Sequence, residues 1–152
     1  MKKSYLAVFI LSALVMLTIT PRIQAGEVTV TTMELDSQVL ILATGALMEA
    51  GPGDSLTVLD GDVRLAYNAD RTPHVVVMSV AEEVTLVFVD EVAFDAITAA
   101  DIAQLTFTPA GVDLPLESHD TVVVRTADGL HYKLGNAIES GMSVTLNYAP
   151  LQ

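Results

Sequence analysis

Residues 120–134 read Asp-Thr-Val-Val-Val-Arg-Thr-Ala-Asp-Gly-Leu-His-Tyr-Lys-Leu. This stretch decides the fold class. Val122, Val123 and Val124 are β-branched, poor in a helix and well suited to a pleated surface. Asp128-Gly129 follows, a pair that tolerates the positive φ of a tight hairpin turn. Beyond it, Leu130, Tyr132 and Leu134 fall on one face of an extended chain, with His131 and Lys133 on the other. An antiparallel hairpin is predicted, and Gly135-Asn136 bends or ends its second strand.

The same grammar continues in both directions. Ser140-Gly141 marks another turn, and Met142 to Tyr148 alternates Val144, Leu146 and Tyr148 against Ser143, Thr145 and Asn147. Near the other end, Glu27 to Met33 alternates Val28 and Val30 with Thr29 and Thr31. Gln38 to Met48 is one bent strand or two, because Gly45 interrupts it. Ser55 to Leu59, a turn at Asp60-Gly61 and Asp62 to Tyr67 read as a meander. Val75 to Val80 is nearly all apolar and reads as a central strand covered on both sides. Ala81-Glu82-Glu83 turns the chain, and Val84 to Val89 returns beside it. One short helix fits residues 98–105, where Thr98 and Asp101 have capping-box spacing. Thr106-Phe107-Thr108 reads as a short strand and Pro109 to Pro115 as loop. The chain is therefore all-β: an antiparallel β-sandwich or jelly roll of about 8–10 short strands, with a closed barrel as the alternative.

Residues 1–25 have a different composition. Lys2 and Lys3 precede an apolar run from Leu6 to Leu17, and Ala25 ends the segment after Pro21 and Arg22. That is the layout of a cleaved bacterial secretory signal peptide, with residues 26–152 as a single domain. Seventeen residues from Ser4 to Thr20 fall short of the roughly 20 apolar residues of a spanning helix. No stable membrane insertion is expected after cleavage. The chain is expected to be exported to the periplasm, the cell surface or the extracellular space.

Cleavage would remove three of the seven basic residues and none of the 19 acidic ones, moving the net charge from −12 to −15. Such a domain repels nucleic acid and suits cations or basic partners. The sequence has no cysteine, which excludes disulfides, thiolate zinc, iron–sulfur clusters, a cysteine nucleophile and a lipid-modified cysteine.

Chemistry-bearing groups are sparse. Ser118-His119-Asp120 spells a catalytic triad, but on an extended chain His119 points away from its neighbours. His119 and His131 approach one another only in some registers of the 121–134 hairpin. Paired carboxylates for glycoside hydrolysis lack the usual aromatic platforms, since the sequence has no tryptophan. No cofactor is expected, and calcium is the candidate ion that the Asp- and Asn-rich loops suit. Two separate clusters are candidates: Asp60, Asp62, Asn68 and Asp70, and then Asp90, Glu91 and Asp95. The expected function is non-catalytic, a structural or protein-interaction role in the cell envelope or extracellular matrix. Sheet edges would pair with a protein partner or a second copy. The alternatives are a secreted ligand- or calcium-binding module and a small secreted hydrolase.

Overall fold

In the computed structural model, residues 25–31, 37–50, 61–67, 75–108 and 114–152 are described. They form ten strands: β1 (Gly26–Thr31), β2 (Ser37–Ile41), β3 (Ala46–Ala50), β4 (Val63–Tyr67), β5 (Val75–Ser79), β6 (Thr85–Val89), β7 (Leu114–Pro115), β8 (Thr121–Arg125), β9 (His131–Ser140) and β10 (Ser143–Pro150). Two five-stranded sheets result, ordered β1-β10-β9-β8-β6 and β3-β2-β4-β5-β7. Every pairing is antiparallel. The molecule is a sandwich, and among the described residues no pairing joins the two sheets into a barrel.

Alternation fills the space between the sheets. Val28 and Val30, Leu40, Val63, Leu65 and Tyr67, Val75 and Val77, Leu86, Val122 and Val124, Tyr132 and Leu134, and Val144, Leu146 and Tyr148 share one buried cluster. A sandwich core needs this inward face from each sheet.

The 120–134 hairpin forms as expected, with a longer loop. Arg125 pairs with His131, the Thr126 amide donates to the Leu130 carbonyl, and the Gly129 amide donates to the Thr126 carbonyl. Of the Asp128-Gly129 pair, Gly129 alone has positive φ (84°). That is the pattern of a three-residue loop closed by a left-handed glycine, rather than a two-residue turn. Gly135-Asn136 bends the next strand without ending it. Asn136 has φ 52°, and the β9–β10 register shifts there as in a β-bulge. Gly141 opens the next hairpin with φ 62°. Gln38 to Met48 is two strands, separated by a turn over residues 42–45 in which Gly45 has φ 71°.

Five expectations change. Val84 to Val89 does not return beside β5: the turn sends it into the other sheet, where β6 pairs with β8. Val75 to Val80 is buried on one face only, because its outer side chains Val76 and Met78 are half-exposed. Cover on both faces is found instead in β8, with Thr121 to Val124 all buried, and in the first half of β9, with Tyr132 to Gly135 all buried. The short helix is a 3-10 helix, Ala99–Gln104, preceded by a 3-10 turn, Phe94–Ala96. The Asp101 carboxylate reaches back to the Thr98 amide at 2.8 Å, the capping contact that the sequence suggested. Thr108 makes only an isolated bridge to Leu86, and Leu114–Pro115 adds a two-residue strand inside the expected loop. The expected strand Ser55 to Leu59 lies outside the described residues.

Residues 92–108 cross the outer face of the first sheet as a strap. Val92, Ile97, Ile102, Leu105 and Phe107 pack with Val87, Val89, Val123 and Leu151 in a second apolar cluster. That cluster is why β8 is dry on both sides.

Candidate functional site

The strand directions sort the chemistry to two ends of the sandwich. One end carries the β2–β3 turn, Asp62 and the β8–β9 loop. The other carries the turn after β6, the 116–120 connection into β8 and the β9–β10 turn.

At the second end, residues 117–120 form a turn closed in both directions. The Asp120 amide donates to the Glu117 carbonyl at 3.2 Å. The Glu117 amide donates to Asp120 Oδ2, also at 3.2 Å. Asp120 Oδ1 accepts from the Glu91 amide at 3.3 Å, tying this turn to the one after β6. Thr121 reinforces the tie by donating to the Val92 carbonyl at 2.8 Å. Leu116 is buried in the core just before the turn, and the Leu116 amide donates to the Val75 carbonyl. Asp120 is 4% exposed, whereas Glu117, Ser118 and His119 face solvent. Potential ligand atoms of Glu117, His119 and Asp120 all lie within 4.8 Å of one another.

This geometry answers the triad question. His119 Nδ1 lies 3.4 Å from the Ser118 hydroxyl. The Asp120 carboxylate is held by two backbone amides instead of orienting the imidazole. His131 is far from this turn. It pairs with Arg125 at the opposite end of β8, while His119 precedes Thr121, so the hairpin register keeps the two histidines apart. His131 rests against the Phe107 ring (centroids 5.5 Å apart), and the Arg125 guanidinium lies 5.4 Å from that ring's centre. Burial pushes the His131 pKa down, and the Arg125 charge adds to the shift.

The expected calcium clusters separate. Asp60, Asn68 and Asp70 lie outside the described residues. Asp62 is at the first end, and its Oδ2 accepts from the Leu42 amide at 2.7 Å. Burial raises the Asp62 pKa, the amide opposes the rise, and the Asp128 charge adds to it. The Tyr132 hydroxyl is buried at this end with no hydrogen-bond partner among the described residues. Burial raises its pKa, with further contributions from Asp62, Asp128 and Tyr148. Asp90 and Glu91 are exposed in the turn after β6, and Asp95 is exposed in the 3-10 turn. Through its amide, Glu91 joins the 117–120 turn. Neither Asp90 nor Asp95 is part of the three-ligand group there.

Sequence reasoning missed two groups. Glu117 completes a Glu-x-His-Asp spacing that overlaps the Ser-His-Asp run and is visible in the sequence. Lys133 is 9% exposed, and its Nζ donates to the carbonyls of Phe94 and Ile97 at 2.7 and 2.9 Å. Strand alternation predicted its outward direction, but not the strap that covers it.

No protein-family model matches the chain, and no curated protein matches it. Solved structures do resemble it. One is a candidate lipoprotein from Bacteroides fragilis, 10% identical, with a TM-score of 0.51 over 84% of this chain and 90% of that one. Another is an apo HmuY analog from Tannerella forsythia, 13% identical, with a TM-score of 0.53 over 85% of this chain and 96% of that one. Among the described residues, no helix is long and apolar enough to cross a membrane. At these identities the likeness is one of fold: the chain shares a two-sheet β architecture with these two proteins.

Proposed function

We propose that this protein is an exported, non-catalytic β domain that acts by binding a protein partner or a second copy at the bacterial envelope. The observation that carries this reading is the fold likeness, which spans at least 90% of each of the two solved chains. One is called a lipoprotein candidate and the other an analog of HmuY. The leader-like composition of residues 1–25 and the start of β1 at Gly26 support export. Among the described residues, β1 in one sheet and β3 and β7 in the other are edge strands that offer a surface for strand addition, while the outer side of β6 is bridged by Thr108.

The test is fractionation of cells expressing the protein with a C-terminal tag, followed by intact mass of the recovered chain. A chain starting at Gly26, in envelope material and in a complex, is the expected result. An unclipped chain in the cytoplasm or inner membrane overturns the reading.

Calcium binding is the second reading. It is favoured by Asp62 and Asp128, which lie at the same end of the sandwich and whose charges both raise the pKa of the buried Tyr132 hydroxyl. A cation there would offset their mutual repulsion.

A further inference from the structure

We propose that Glu117, His119 and Asp120 form a binding site for a transition-type divalent cation, of which Zn2+ is the representative. The site is independent of the binding role proposed above and lies at the opposite end of the sandwich from Asp62.

Three observations converge. First, the donors are one imidazole and two carboxylates, with ligand atoms mutually within 4.8 Å. An imidazole selects for zinc and its neighbours over calcium and magnesium, which take oxygen ligands. Second, the turn is built before any ion arrives. The reciprocal bonds between Glu117 and Asp120, and the Glu91 amide on Asp120 Oδ1, fix the Asp120 carboxylate and the backbone that carries Glu117. Third, Asp120 is 4% exposed, and its two identified donors are neutral backbone amides with long contacts. A carboxylate accepts at about four lone-pair sites. The two amides occupy two of these sites and leave the others open to a cation.

The remaining adjustment is small. Tetrahedral bonds of about 2.0–2.2 Å bring ligand atoms to roughly 3.5 Å apart. The exposed side chains of Glu117 and His119 can close that distance by rotation while Asp120 stays in place. Solvent would complete the coordination, as the turn faces water.

The experiment is isothermal titration of the untagged protein with Zn2+, in parallel with Ca2+. Variants are His119→Ala, Glu117→Gln and, as a control, His131→Ala. Both ligand variants change exposed side chains and leave the amide clasp intact. One equivalent of Zn2+ is expected to bind wild type in preference to Ca2+. His119→Ala and Glu117→Gln should each weaken it by more than about ten-fold, the least that loss of even an outer-shell partner costs. His131→Ala should leave it unchanged. Absence of saturable Zn2+ binding overturns the proposal, as does equal affinity in His119→Ala or transfer of the loss to His131→Ala.

Discussion

Lys133 grips Phe94 in two ways: its Nζ donates to the Phe94 carbonyl at 2.7 Å and lies 4.5 Å from the centre of the Phe94 ring. With the Ile97 carbonyl as second acceptor, one ammonium from β9 satisfies the turn of the strap and pins it to the sheet. Gly135, two residues on, lets the strap come close. A Cβ there would lie 3.1 Å from Phe94 Cβ and from the Asp120 carbonyl. Lys133→Met keeps the apolar stem and removes the donor, leaving two carbonyls unpaired. A charge-assisted bond contributes about 1.5–3 kcal/mol, and relief from burying the ammonium offsets part of it. The expected loss is about 2 kcal/mol in urea unfolding, with faster proteolysis confined to residues 92–108. Unchanged stability together with unchanged proteolysis would show that stem packing alone holds the strap.

Gly45 and Tyr148 give a second test. Gly45 has φ 71°, and a Cβ on it would collide with the Tyr148 hydroxyl. Gly45→Ala therefore combines backbone strain with a clash and should cost about 1–3 kcal/mol. Tyr148→Phe removes the colliding oxygen, so the double variant should lose less than the sum of the singles. Simple additivity in thermal unfolding would mean that the β2–β3 turn does not cap Tyr148 in solution.

Asp62 sets a pH dependence. Burial raises its pKa above the ordinary 3.8, so the folded state favours the protonated form. Its favourable contribution is present below 3.8 and is lost as pH rises through the elevated folded value. Asp62→Asn removes the charge but retains an oxygen for the Leu42 amide. The variant should melt higher than wild type at pH 7, with the gap closing below about pH 4. If the calcium reading holds, added Ca2+ raises the wild-type midpoint and leaves that of Asp62→Asn unchanged.

The sequence made the strands legible and left their partners obscure, for a physical reason. Alternation in Val63 to Tyr67 or Val144 to Tyr148 reports which side chains are inward, and period two does not depend on the neighbour. Whether Val84 to Val89 turns back beside β5 or crosses to β8 depends on packing between sheets, which leaves no local mark. The same holds for the site. Glu117, His119 and Asp120 come together within one turn, so their spacing was readable. Burial of Lys133 required the strap 92–108 to lie over β9, a long-range contact with no signature in either segment. Asp90, Glu91 and Asp95 looked like one cluster because they are close in sequence. The positive φ of Glu91 (53°) turns the chain between them, and Asp120, from a distant loop, takes the Glu91 amide.

Gly129 offers the cleanest test of the hairpin that decided the fold. Its φ of 84° is in the region that β-branched residues avoid. No atom lies within 4 Å of a Cβ built on it. A substitution there therefore reports backbone strain without a clash. Gly129→Val should cost more than Gly129→Ala, and Gly129→Asn least, because asparagine tolerates the left-handed region. About 1–2 kcal/mol is expected for the valine variant, a fall of several degrees in the melting temperature of a domain this size. Gly141, with φ 62° and equally open surroundings, should give the same order. Identical melting temperatures for Gly129→Val and wild type would place the β8–β9 loop in a different conformation. The Arg125–His131 register that separates His131 from His119 would then have to be redrawn.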